Sequence, residues 1–150
     1  MTKTRSLTSF CVAFLVVLAG AMCGMSTAHA DPFGAHSGLT AISGQGDGNV
    51  SISPTAALGH GVFDARVTVN IHGTSPNTDF TVIRTGDPIP DGICMGTVVG
   101  TVATLRTSAG GAGAVEFERT GALSSFDVAI QVVAGDGTVL QSDCMTIHLK

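Results

Sequence analysis

The sequence predicts an all-β protein: a single antiparallel β-sandwich of about seven or eight strands that follows a cleaved signal peptide. Three observations carry this. Apolar and polar residues alternate with period two through most of residues 31–150. Clusters of Gly, Pro, Asn, Asp and Ser interrupt the alternation roughly every 8–12 residues, the spacing of strand–turn units. No helical period of useful length occurs in the same stretch.

The leader comes first in chain order. Met1-Thr2-Lys3-Thr4-Arg5 carries two positive charges, an uncharged apolar run extends from Phe10 to Met25, and Ala28-His29-Ala30 precedes Asp31-Pro32. Basic, apolar, then A-x-A is the secretory pattern, so residues 1–30 are expected to be removed. The most apolar centre, Phe14 to Ala19, is shorter than the roughly 20 residues that span a bilayer, which disfavours a retained anchor. Cys23 is poorly placed for lipoprotein processing, because Met22 directly precedes it. Residues 31–150 then form one β-domain with no further membrane span.

Within that domain residues 31–38 read as a loose lead-in. Leu39–Ile42 and Val50–Ile52 are short strands around the Gly44-Gln45-Gly46-Asp47-Gly48 turn. The clearest strand runs from Phe63 to His72. Phe63, Ala65, Val67, Val69 and Ile71 point one way; Asp64, Arg66, Thr68, Asn70 and His72 point the other. Gly73 to Asn77 supplies turn chemistry, and Phe80 and Val82 face inward on the next strand, with Thr81 and Ile83 outward. A Pro-stiffened loop, Gly86 to Gly92, leads to Cys94. Thr97 to Thr107 is β-branched and strand-like, Ser108 to Gly113 turns, and Val115 and Phe117 form the inward face of the returning strand. Phe126, Val128, Ile130 and Val132 alternate inward before the tight Gly135-Asp136-Gly137 turn, and Val139 to Leu149 runs back.

Two cysteines, Cys94 and Cys144, lie beyond the leader. In an exported protein a Cys94–Cys144 disulfide is the expected arrangement. Strict alternation along the last strand puts Cys144 on the face opposite Met145, Ile147 and Leu149. Either the bridge lies on an outer surface, or a bulge near Gln141–Asp143 shifts the register.

The stretch Val67 to Val82 (VTVNIHGTSPNTDFTV), followed by Cys94, Gly100-Thr101 and the Gly110–Gly113 turn, resembles a pattern of exported bacterial immunoglobulin-like (Ig-like) β-sandwich domains. In them an alternating strand ends in Gly, Pro-Asn-Thr or Pro-Gly-Thr follows, and an aromatic opens the next strand. The resemblance covers residues 62–119. It implies fold and secretion, no activity, and no functional residue to carry over.

Composition narrows the function. Without the leader, five basic residues (Arg66, Arg84, Arg106, Arg119 and Lys150) stand against eleven acidic ones, a formal charge of −6. Scattered positive charge of this kind does not suit phosphate backbones or anionic membrane surfaces, so no nucleic acid partner is expected. Tyr and Trp are absent, which removes the rings that stacking and sugar-binding surfaces use. No G-x-S-x-G elbow occurs. Glu116 and Glu118 share a strand face but read as exposed acids rather than as a catalytic pair. Asp47-Gly48-Asn49 lacks the closing Glu of a calcium loop.

One metal arrangement is weighed as an alternative. Cys144-Met145-Thr146-Ile147-His148 resembles the last hairpin of the copper-binding cupredoxins, with His60 or His72 as an upstream imidazole. Against it, that family places Met after the His, and a bridge to Cys94 would consume the thiolate. A softer variant would bring Met95 and Met145, each directly after a bridged cysteine, together with His148 as a copper(I) patch. Asn70-Ile71-His72-Gly73 resembles a ligand strand of copper–zinc superoxide dismutases, but that family needs paired histidines, and His36, His60, His72 and His148 are unpaired. The sequence therefore reads as a secreted or cell-envelope interaction or structural module. It shows no catalytic residue, no cofactor, and a protein or envelope component as partner. The metal-binding alternative uses His148, Met95, Met145 and His72.

Overall fold

The computed structural model describes residues 34–58, 62–95, 97–122 and 125–147. The expected signal peptide, His60 and His148 lie outside this set. Nine strands follow in chain order: β1 (Ala35–Ser43), β2 (Asp47–Leu58), β3 (Val62–His72), β4 (Asp79–Asp87), β5 (Thr97–Arg106), β6 (Gly113–Ala122), β7 (Phe126–Ala134), β8 (Val139–Ser142) and β9 (Met145–Ile147). No helix occurs among the described residues.

Alternation explains the strands. On β3, Ala65, Val67, Val69 and Ile71 are buried while Arg66 and His72 are exposed, as a half-buried strand requires. Phe80 and Val82 of β4 and Val128, Ile130 and Val132 of β7 are buried on the same plan. Together with Leu39, Val50 and Leu140 they form one hydrophobic core. Burying each such side chain contributes about 1.5–3 kcal/mol.

All pairings are antiparallel, and one hydrogen-bonded path runs β5-β4-β7-β8-β1-β2-β3-β6. The strands at its two ends, β5 and β6, are consecutive in the chain, so the sheet curls nearly into a barrel with its core inside. Period-two patterning sets which face is inward. It does not set whether that face meets a second sheet or the far side of its own. Closure leaves little exposed edge. At the β5–β6 seam, which carries no ladder, Arg119 Nη2 donates to Val102 O at 3.1 Å.

One end of the sheet is locked by its turns. Thr74 donates from its amide and hydroxyl to Gly111 O (3.2 and 3.0 Å). Gly111 has a φ of 71°, and the Thr74 carbonyl leaves no room for a Cβ there. The Thr107 hydroxyl accepts from Thr78 N (2.9 Å) and donates to Ser75 O (2.7 Å). Ser75 Oγ in turn donates to Asp136 Oδ2 at 2.6 Å, and Asp136 Oδ1 accepts from Thr138 N at 2.9 Å. These bonds, the Ser75 hydroxyl first, hold the Asp136 carboxyl below its usual range.

Two expectations change. Residues 35–38 are not a lead-in: they begin β1 and pair with residues 49–52 of β2, with Ala35 buried. Gly and Ser weaken the local strand signal, and the ladder to β2 overrides it. The returning strand from Val139 is not continuous either. β8 pairs with β7 as Val133↔Val139, Val132↔Leu140 and Gln131↔Gln141, whereas β9 pairs as Val128↔Met145, Asp127↔Thr146 and Phe126↔Ile147. One extra residue therefore lies at Asp143–Cys144, a β-bulge.

The bulge turns the alternation over. Leu140 and Ser142 face the core before it, and Met145 and Ile147 after it. Cys144, half-buried, is left on the outer side. Both sequence alternatives thus hold together: a bulge is present, and the bridge is outside. Two buried hydroxyls serve the interrupted ladder. Ser142 Oγ accepts from Ile130 N at 2.9 Å and donates to Asp143 O at 2.8 Å, and Ser37 Oγ accepts from Asp143 N at 2.9 Å.

Candidate interaction site

The loop between β4 and β5 lies over the outer face of β7 and β9, and two attachments hold it there. Cys94 is disulfide-bonded to Cys144, with the Cα atoms 5.5 Å apart. Such a bond suits an oxidising compartment. Two residues earlier, Gly92 N donates to Asp127 Oδ2 at 2.7 Å. Asp127 is 0% exposed although strand parity puts it on the outer side of β7, opposite Thr146 of β9. Its other oxygen, Oδ1, has no hydrogen-bond partner among the described residues.

The loop also stiffens itself. Asp87 Oδ1 accepts from Ile89 N at 3.0 Å, and Asp91 Oδ1 accepts from Ile93 N at 2.9 Å. These are Asx turns, in which a short acidic side chain replaces a backbone acceptor. Pro88 and Pro90 restrict φ between them. A segment so constrained loses little conformational entropy when something docks on it.

Several of its outward side chains are apolar. Among the described residues five large hydrophobics are exposed, and four of them, Ile89, Ile93, Met95 (85%) and Val98, fall within this loop and the start of β5. Ile42 is the fifth, on β1. Scattered exposed hydrophobics need no explanation, but here four fall on one pinned segment. Sequence reasoning missed it. The sequence reads as a Pro-stiffened loop leading to Cys94, and only the tertiary bridge shows that the apolar residues are held outward.

Met95 and Met145 of the metal alternative lie on opposite sides of the sheet. Met145 is buried in the core, whereas Met95 stands on the exposed loop outside the sheet. The bulge that sends Cys144 outward sends the Met145 thioether inward, so adjacency to a bridged cysteine does not bring the two sulfurs together. His72 ends β3 at the turn-bearing end of the sheet, with Nδ1 2.8 Å from Asp47 Oδ1. His148 lies outside the described residues. Both cysteine sulfurs are used by the bridge. No group of three or more His, Cys, Asp or Glu gathers as a metal site among the described residues. Glu116 and Glu118 are exposed, and Arg66 Nε sits 3.4 Å from Glu116 Oε1. No family model, curated protein or solved structure matches this chain.

Proposed function

We propose that this protein is a secreted or cell-envelope β-domain that works by contact, using the loop from Asp87 to Val98 as its docking surface. The observation that carries the proposal is the clustering of Ile89, Ile93, Met95 and Val98 on a segment anchored by a disulfide and by Asp127. An isolated chain gains nothing from holding these side chains in water. Covering each would contribute up to about 1.5–3 kcal/mol, a gross gain that offsets part of the cost of association. Export rests on the basic–apolar–A-x-A leader, with the disulfide as support. The partner is a protein or envelope component with an apolar patch of its own. The proposal does not depend on the narrower Ig-like sandwich, which would require two separate facing sheets. A copper-carrying role has no observation of its own to support it.

The test compares the mature protein with an Ile93→Asp/Met95→Asp variant. Both are co-sedimented with envelope fractions of the producing cell, and unfolding midpoints serve as a folding control. A tenfold or greater loss of retention at unchanged stability is expected. Equal retention of the two proteins overturns the assignment of the loop.

A further inference from the structure

The described residues include four arginines, and they divide by face. Arg66 and Arg106 project outward and each has a carboxylate. Arg66 lies against Glu116, and Arg106 Nη1 donates to Asp79 Oδ1 and Oδ2 at 3.0 and 2.9 Å. Arg84 and Arg119 lie on the core face. Arg84 is registered with Ile130 in a β4–β7 ladder that shows no shift from Phe80 to Asp87, so it shares the side of buried Phe80, Val82 and Ile130. Arg119 is registered with buried Ala65 and follows Val115 and Phe117 on the same face of β6.

Among the described residues, which hold ten of the chain's eleven acidic residues (all but Asp31), neither of these two arginines has an acidic partner. Arg84 Nε is shielded from solvent without a hydrogen-bond partner. The Arg119 guanidinium lies 5.7 Å from the Phe117 ring centroid and gives one N–H to Val102 O. Both arginines neighbour the same part of β5. Arg84 is registered with Gly100, and Arg119 bonds two residues further on. Gly100, with φ of 121°, has open space where a Cβ would be.

A shielded Nε–H without an acceptor is unfavourable, and the planar N–H donors of a guanidinium match an oxyanion. We propose that Arg84 and Arg119 bind one oxyanion, a carboxylate or phosphate, beside Gly100 at the β5–β6 seam. Exposed Arg119 meets the ligand first and half-buried Arg84 completes its coordination. The partly buried Val102, Val115 and Phe117 beside them suit a ligand whose anionic group sits on an apolar body. This inference is independent of the docking loop, which lies on the outer face.

The experiment is an amide-resolved NMR titration of the mature protein with inorganic phosphate, hexyl phosphate and hexanol. Saturable shifts at Gly100 and Arg119 with a phosphate are expected, weakened at least tenfold in Arg84→Gln and in Arg119→Gln but not in Arg66→Gln or Arg106→Gln. Tighter binding of hexyl phosphate than of inorganic phosphate assigns an ester with an apolar body; equal binding assigns a free oxyanion. Should Arg84→Gln not fold, Arg84→Lys, which keeps the charge and loses the fork, and exposed Arg119→Gln carry the test. Absence of saturable shifts with either phosphate overturns the proposal. So does hexanol binding as well as hexyl phosphate, or equal weakening by the outward arginine variants.

Discussion

Ser142→Ala tests how the bulge between β8 and β9 is held. In the intact protein Ile130 N–H donates to the Ser142 hydroxyl at the point where β7 changes partner from β8 to β9. Both residues are buried, so the alanine variant leaves a backbone donor without that acceptor and without water in its place. An orphaned buried donor costs about 1–3 kcal/mol. The same hydroxyl also donates to Asp143 O, which places the expected loss near the middle of that range, about 2 kcal/mol. For a domain of this size that lowers Tm by roughly 8 °C. Urea unfolding followed by circular dichroism measures it as a reduced midpoint with unchanged slope. Ser142→Thr should recover most of the loss, because it restores the hydroxyl. Ser37→Ala removes the acceptor of Asp143 N across the same bulge, and the double variant should depart from additivity by at least about 0.5 kcal/mol. A Ser142→Ala loss below about 0.5 kcal/mol, the size of an ordinary surface change, would refute the reasoning.

Two further predictions concern the bridge and the locked turns. Replacing Cys94 and Cys144 together by Ala opens a loop closed over a separation of 50 residues and should cost about 4 kcal/mol in the chain-entropy account. Faster hydrogen exchange at the Gly92 amide should accompany it, and protection equal to that of the parent would show that Asp127 alone fixes the loop. Asp136, depressed in the folded state chiefly by Ser75, contributes stability that is present above its unfolded value of 3.8 and lost as pH falls through the lower folded value. Ser75→Ala should raise the carboxyl toward 3.8 in an NMR titration and flatten the acid limb of the stability curve; an unmoved titration would remove Ser75 as the cause.

Much of the β-architecture was legible because a strand's faces are written in its own residues. Val67, Val69 and Ile71 need no knowledge of the rest of the chain to be assigned inward, nor do Phe80 and Val82. The disulfide was legible for a different reason: only Cys94 and Cys144 lie beyond the expected leader, so pairing them requires no geometry. The candidate sites were not legible. Ile93 and Met95 look like fragments of a turn until the bridge fixes which way they face. Arg84 and Arg119 look like any polar residues in alternating strands until register shows them on the core side.

The local sequence by itself determined most of the strands between Leu39 and Ile147 and which of their side chains seek an apolar environment, because both follow from period-two spacing and turn chemistry within a few residues. Tertiary structure alone decided that one sheet curls on itself, that an inserted residue at Asp143–Cys144 sends Met145 inward and the disulfide outward, and that Arg84 and Arg119 stand on the core-facing side of their strands without an acidic partner among the described residues. Those outcomes depend on register between strands far apart in the chain. A one-residue shift reverses every side chain beyond it while leaving the local pattern unchanged.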